Sequence, residues 1–270
     1  MNDYIFQTDR MFFKHEISEN LPRDAYSMHI HSSYELIYFI DGNATHVIED
    51  RKYKLKKGDL ILIRPFQYHF IQIDATSRYE RYDLLFDPEK HLIDALDLIP
   101  ESAEVLSLEG NAAAQDVFRR CDLYHRSCPP EIFSRMLPHL ISELFFNIRL
   151  FPQSFSGNTE SFSPLISKAL RYINENLCSI TDVGEIASRL FVSESYLFRL
   201  FKNELHSTPK KYIREKRLLL AQKLLSSGEK PANVYEQCGF SDYSTFYRNY
   251  TAFFGRSPKE TPTNELVLKQ

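Results

Sequence analysis

The alternation of polar and apolar positions changes character twice along the chain. From Met28 to about Phe86, short apolar stretches are separated by turn residues: His29 to Ile40, a turn at Asp41-Gly42-Asn43, Ala44 to Ile48, then Leu60 to Ile63, His69 to Ile73 and Tyr79 to Phe86. Runs of this length, rich in Ile, Tyr, Phe and Val, predict strands. Gly42 and Gly58 lie in Asp-Gly and Lys-Gly-Asp sequences, where a turn needs the positive φ that glycine tolerates. The spacing predicts a small barrel or sandwich. After Pro88 the period becomes helical, over His91 to Ile99, about Asn111 to Ser127, and Pro130 to Phe151, the last opening with proline in its first turn. This third helix carries Phe133, Met136, Leu137, Leu140, Ile141, Leu144, Phe145 and Ile148, a stripe wider than one packing contact requires. It predicts either a dimer interface or packing against the strands. Residues 152–163, with Ser, Gly, Asn and Thr, have the composition of a linker.

Everything beyond the linker is helical in period, and the chain repeats itself there at an offset of 49 residues. Ser195 aligns with Ser244, Arg199 with Arg248, Phe201 with Tyr250, Thr208 with Ser257, Pro209 with Pro258 and Lys210 with Lys259. In the first copy, Thr181 or Asp182 caps a helix with Val183, Ile186, Ala187 and Leu190 on one face. The turn Phe191-Val192-Ser193 follows, and Ser193 caps a second helix with Leu197, Leu200, Phe201 and Leu205 inward. Small Ala187 lets the two helices cross closely, as a helix-turn-helix requires. The second copy has Val234, Tyr235 and Cys238 inward, a turn at Gly239-Phe240-Ser241, and a helix from Asp242 with Phe246, Tyr250 and Phe253 inward. The outward sets are Ser195, Tyr196, Arg199 and Lys202 in the first copy, and Tyr243, Ser244, Thr245, Tyr247 and Arg248 in the second. Joined by a helix over 209–226, two such faces would address successive major grooves, roughly 34 Å apart.

Charge supports this division. The whole chain has a formal charge of −3, but residues 1–163 hold 17 Lys+Arg against 25 Asp+Glu, while residues 164–270 hold 16 against 11. Only the C-terminal part is basic, and so suited to phosphate. Four cysteines, Cys121, Cys128, Cys178 and Cys238, form neither a CxxC pair nor a dense framework, which predicts a reducing compartment. No apolar run approaches the roughly 20 residues of a membrane span. The expectation is a cytoplasmic protein that is not associated with a membrane.

The order of the C-terminal motifs is specific. IASRLFVSESYLFRLFK, YIREKRLLLAQKLL, CGFSDYSTFYR and FFGRSP together resemble the AraC/XylS-type transcription regulators over about the last hundred residues. The resemblance implies a seven-helix module with two recognition helices, in which Ser195 and Arg199, and Thr245 and Arg248, face DNA. Two positions depart from the pattern: Tyr235 replaces the small residue that Ala187 supplies in the first copy, and Phe198 replaces an outward polar residue.

In the N-terminal part, His29, His31 and Glu35 share a side if 29–40 is one strand, and His69 follows in RPFQYHF. Three imidazoles and a carboxylate suit Zn, Fe, Mn or Ni. The pattern His-x-His-x3-Glu-x6-Gly resembles the cupin barrel, although the leading glycine is absent at Arg23 and the last polar position is Ile73. Similar sensor domains of AraC-type regulators imply a cavity for a sugar or another small molecule, without a metal. For His29, His31, Glu35 and His69 three readings stay open: effector binding, ligation of a divalent metal, and structural hydrogen bonding.

The expected architecture is therefore a two-domain α+β chain: a cupin-like β-barrel with flanking helices over 1–151, a linker over 152–163, and an all-α double helix-turn-helix over 164–270. The expected function is sequence-specific binding of double-stranded DNA under a small-molecule effector, with no required cofactor. A homodimer is expected, and RNA polymerase is a partner if the protein activates. The rival reading is a metal-dependent cupin enzyme fused to a DNA-binding domain. No paired carboxylate, nucleophile motif or glycine-rich phosphate loop supports catalysis.

Overall fold

The computed structural model describes residues 4–8, 11–19, 29–31, 33–73, 78–87, 90–100, 103–150 and 159–261. The N-terminal strands are β1 (Tyr4–Gln7), β2 (Met11–Ser18), β3 (Tyr34–Asp41), β4 (Ala44–Ile48), β5 (Arg51–Lys54), β6 (Asp59–Ile63), β7 (His69–Ile73) and β8 (Tyr79–Phe86). Helix α1 (Lys90–Leu96), strand β9 (Val105–Ser107), and helices α2 (Ala112–Ser127) and α3 (Pro130–Leu150) complete this part. The strands form two antiparallel sheets, ordered β1-β2-β8-β3-β6-β9 and β10-β5-β4-β7, where β10 is Thr159–Ser161. The last strand lies within the interval whose composition suggests a linker, and pairs with β5. Residues 152–158 of that interval are outside the described residues.

The central strands β4 and β6 are buried on two faces, which explains why Leu60-Ile61-Leu62-Ile63 is apolar without alternation. Between the sheets, Ile37, Phe39, Ile61 and Ile63 from one meet Ala44, Ile48, Ile71 and Ile73 from the other. The outer face of the six-stranded sheet, including Phe13, Leu36, Tyr38, Leu62 and Phe86, packs under α1, α2 and α3. Within α3, Phe133, Leu137, Leu140, Ile141, Leu144, Phe145 and Ile148 are buried in this contact. The width of the stripe is thus used inside the chain, because α3 meets the sheet and two helices at once.

The sequence reading located β4, β6, β7 and β8 closely but missed β1, β2, β5, β9 and β10. The physical reason is visible in β2, where Lys14, His15 and Glu16 interrupt the apolar run, and in β5, which has one apolar residue in four. The single strand expected over 29–40 is also corrected. Regular pairing begins at Tyr34, whereas His29 makes an isolated bridge to His69, so a bend at Ser33 separates the two.

The C-terminal part contains α4 (Pro164–Glu175), α5 (Val183–Arg189), α6 (Glu194–Leu205), α7 (Pro209–Ser226), α8 (Pro231–Gln237) and α9 (Tyr243–Phe254), followed by a 3-10 turn at Pro258–Glu260. Among the described residues there are thus six α-helices and this short turn, where the resemblance implies seven helices. Asp182, Ser193 and Asp242 cap α5, α6 and α9 by accepting from the amides of Glu185, Tyr196 and Thr245. One core joins Ile186, Ala187, Leu197 and Phe201, and another joins Val234, Cys238, Phe246 and Tyr250 to Leu218, Ala221 and Leu225 of α7. Helix α7 therefore touches both helix-turn-helix units. Arg217 pins them further by donating to the carbonyls of Leu177 (2.8 Å), Ile180 (2.6 Å) and Gly239 (2.7 Å).

Candidate functional site

The two capped helices α6 and α9 present the outward residues expected from the repeat. Ser195, Tyr196, Arg199 and Lys202 are all exposed on α6, and the Arg199 guanidinium lies 5.8 Å from the Tyr196 ring centre. On α9, Ser244, Tyr247 and Arg248 are exposed, while Tyr243 and Thr245 are half-buried. Tyr243 is held back by ring contacts with Tyr235 (5.9 Å), Phe246 (5.9 Å) and Tyr247 (6.2 Å). Tyr235 accordingly does not sit in the core as the sequence reading placed it. It is half-buried at the edge, with its hydroxyl donating to Glu236, because its ring is too large for the position of Ala187 in the first copy.

The basic residues of α7 do not form one open face. Lys216 donates to Glu49 of the N-terminal part and to Asn174, and Arg217 is committed to three carbonyls. Lys210, Lys211, Arg214 and Lys223 of α7 are exposed, as are Arg199 and Lys202 on α6 and Arg248 on α9.

The second site is at the start of β7. His29, His31, Glu35 and His69 come together with one potential ligand atom from each within 4.8 Å of the others. His31 Nε2 is 3.1 Å and His69 Nε2 2.9 Å from the same oxygen, Glu35 Oε2. The far nitrogens are anchored: His31 Nδ1 is 2.9 Å from the carbonyl of Ser33, and His69 Nδ1 is 3.0 Å from that of Gln67. A carbonyl only accepts, so both Nδ1 atoms carry hydrogen, and both Nε2 atoms are left to face the carboxylate. His31, Glu35 and His69 are buried, and His29 is exposed at the rim.

The electrostatics follow from this crowding. Burial alone would raise the Glu35 carboxyl, but the His69 and His31 imidazoles reverse this and hold it well below the usual carboxylate range. Burial likewise opposes charge on His69, yet Glu35 beside it raises its pKa. Two further groups were not anticipated. Asp83, on β8, is pushed up to about 7 by burial and by the Glu35 charge. His46, on β4, is pushed down to about 3 by burial and by His69, whose ring lies 6.1 Å away. Arg81 stands 3.7 Å from Asp83 and 2.8 Å from Glu16, and Lys14 is 3.6 Å from Asp83. The polar surface thus runs from the histidines across β8 to β2. Period-two alternation in Tyr79-Glu80-Arg81-Tyr82-Asp83 could have revealed it, except that charged positions on a strand ordinarily mark the solvent side.

Comparison with known proteins gives a consistent assignment for both parts. Residues 17–172 match the AraC-like ligand binding domain, and residues 186–264 match a helix-turn-helix domain. The HTH-type transcriptional activator RhaR of Cronobacter sakazakii is 25% identical over 255 residues, covering 90% of this chain and 89% of that protein. The probable transcriptional regulator LumQ of Photobacterium leiognathi is 36% identical over 88 residues, 32% of this chain and 36% of that one. Among solved structures, ToxT from Vibrio cholerae O395 covers 94% of this chain and 97% of its own at 13% identity, with a TM-score of 0.38.

Proposed function

Because the chain belongs to the AraC family, with a ligand-binding domain and a helix-turn-helix domain in one polypeptide, we propose that it is a sequence-specific DNA-binding transcription regulator answering to a small-molecule effector. The observation that carries this reading is the paired presentation of Arg199 and Arg248. Each is exposed at the same phase of a separately capped helix, in the basic part of the chain. Exposed Arg, Ser and Tyr on such a helix suit base edges and phosphates of a major groove. Ser195, Tyr196, Arg199 and Lys202 form the first reading surface, and Tyr243, Ser244, Thr245 and Arg248 the second. The test is titration of the full chain onto labelled DNA from upstream of its own gene. Arg199→Ala and Arg248→Ala should each lose about 1–3 kcal/mol of specific binding with the fold intact. Unchanged affinity in both variants would overturn the assignment.

The effector site of this reading is the cluster of His29, His31, Glu35 and His69 with its extension to Asp83 and Arg81. The donor set also fits a divalent transition metal, since three imidazoles and one carboxylate are common ligands for such ions. Anchoring of Nδ1 on backbone carbonyls is the arrangement that orients metal-binding histidines. When bound, such an ion would neutralise Glu35 and offer a Lewis-acidic anchor for an oxygen atom of an organic effector. DNA binding itself calls for no cofactor. The relatives are regulators, which sets aside the enzyme reading of the same cluster.

A homodimer belongs to the same proposal. With its main stripe buried, α3 still exposes Phe146 and Leu150 one turn apart, an apolar pair that a second copy would cover. A cytoplasmic protein, with RNA polymerase as partner in an activating role, completes the reading. Among the described residues no helix is long and apolar enough to cross a membrane.

A further inference from the structure

The start of β7 is held from both sides. Tyr68 and His69 are neighbours in sequence, both 1% exposed, and they meet opposite surroundings. His69 faces Glu35 at 2.9 Å, and its backbone bridges His29 through two hydrogen bonds of 3.0 Å. Tyr68 faces α7: its ring stacks on Tyr212 at 4.2 Å and 20°, and its hydroxyl lies 2.9 Å from Glu215 Oε2. The Tyr68 amide donates to Glu49 at 2.8 Å, and Glu49 also accepts from the Tyr212 hydroxyl (2.8 Å) and the Lys216 ammonium (2.9 Å). Val47, Tyr68 and Phe70 share one apolar core with Ile166, Ala169, Phe201 and Tyr212.

We propose that β7 is a two-sided lever, which transmits occupancy of the histidine–carboxylate cluster to helix α7 through the Tyr68–Glu215 and Glu49–Tyr212–Lys216 contacts. This rests on the reading of that cluster as the ligand site. Tyr68, just ahead of β7, and His69, its first residue, cannot move independently, since one peptide unit joins them and both side chains are packed. A ligand that pulls on His69 therefore changes the position at which Tyr68 meets α7. Packed interfaces answer small displacements by switching between discrete arrangements rather than by yielding smoothly. Helix α7 is the element best placed to convert this into altered DNA binding, because it packs on both helix-turn-helix units and holds them through Arg217. The ligand acts only as far as it prefers one arrangement of the contact over the other.

The experiment uses the full, tag-free chain with Ni2+ as the probe. Calorimetry measures binding, and hydrogen exchange is followed in peptides covering 209–226. In the wild-type protein, saturation with Ni2+ should change exchange in α7 by about threefold or more. Tyr68→Phe keeps the stacked ring and removes only the hydroxyl, and Glu215→Gln keeps the shape and removes the charge. Both should bind Ni2+ within about twofold of wild type while the α7 response falls below about a third of its size. Saturating binding with no α7 response in wild type, or a full response in both variants, would overturn the lever and leave the ligand site standing. Absence of Ni2+ binding in the wild type, matched by His69→Ala, would overturn the metal-competent cluster and the lever with it.

Discussion

Replacing Arg217 by alanine removes a fork that ties three backbone carbonyls to α7 at 2.6–2.8 Å. Two of these carbonyls, Leu177 and Ile180, precede the first helix-turn-helix unit, and the third, Gly239, lies in the turn of the second. Hydrogen bonds from a charged donor contribute about 1.5–3 kcal/mol each, and an acceptor stranded in the interior loses about 1–3 kcal/mol. Leu177 and Gly239 are only half-buried, so water replaces part of what they lose, whereas Ile180 is buried. Burial also disfavours the Arg217 charge, lowering its pKa, which subtracts from the gain. The expected net loss is about 3 kcal/mol, or a fall in Tm of roughly 10–20 °C for a unit of about 100 residues. Urea and thermal unfolding of the full chain measure it, with Arg217→Lys as the control that keeps the charge but can reach one carbonyl at a time. A loss below about 1 kcal/mol in Arg217→Ala, or full rescue by lysine, would refute the argument that a planar fork joins the two units.

Other consequences concern the same module and the sheet beneath the helices. At Gly239, with φ +79°, an added Cβ would collide with the Cys178 carbonyl oxygen and lie 2.9 Å from the Arg217 guanidinium carbon, whereas at Gly228, with φ +97°, it would meet nothing within 4 Å. Gly239→Ala should therefore destabilise by about 3 kcal/mol or more and Gly228→Ala by about 1–2 kcal/mol, and equal losses by urea titration would contradict this. His15 is buried, which disfavours its charge, but contacts with Asp122 (3.4 Å) and Glu80 (3.0 Å) prevail and raise its pKa above 6.5. Its stabilising effect is then full below pH 6.5 and is lost as pH rises through the folded value. The difference in Tm between wild type and His15→Gln should shrink from pH 6 towards pH 8.5, and a difference that grows over that range would sink the assignment.

The helix-turn-helix half was legible in the sequence because its determinants are local. A cap at Thr181 or Asp182, another at Ser193, an apolar face at helical spacing and a three-residue turn lie within short windows; the structure uses Asp182 and Ser193, and Asp242 likewise caps α9. The cluster of His29, His31, Glu35 and His69 was legible for a different reason: its residue types are rare together, although the continuous strand used to align them does not form. What was not legible depends on partners far apart in sequence. Nothing near Tyr68 or Glu49 announces Tyr212, Glu215 or Lys216, and charged Arg81 and Asp83 gave the appearance of a solvent face until two sheets closed over them. The apolar stripe of α3 was read correctly as buried surface, but a single sequence carries no record of whether the same chain or a second copy covers it.

The most direct test of the account is fluorescence anisotropy of the full chain on DNA from upstream of its own gene, at fixed salt, with and without Ni2+, a chelator and a panel of sugars. The account predicts specific binding whose affinity shifts with at least one of these additions and loses that shift in His69→Ala. Absence of specific binding under every condition would contradict it.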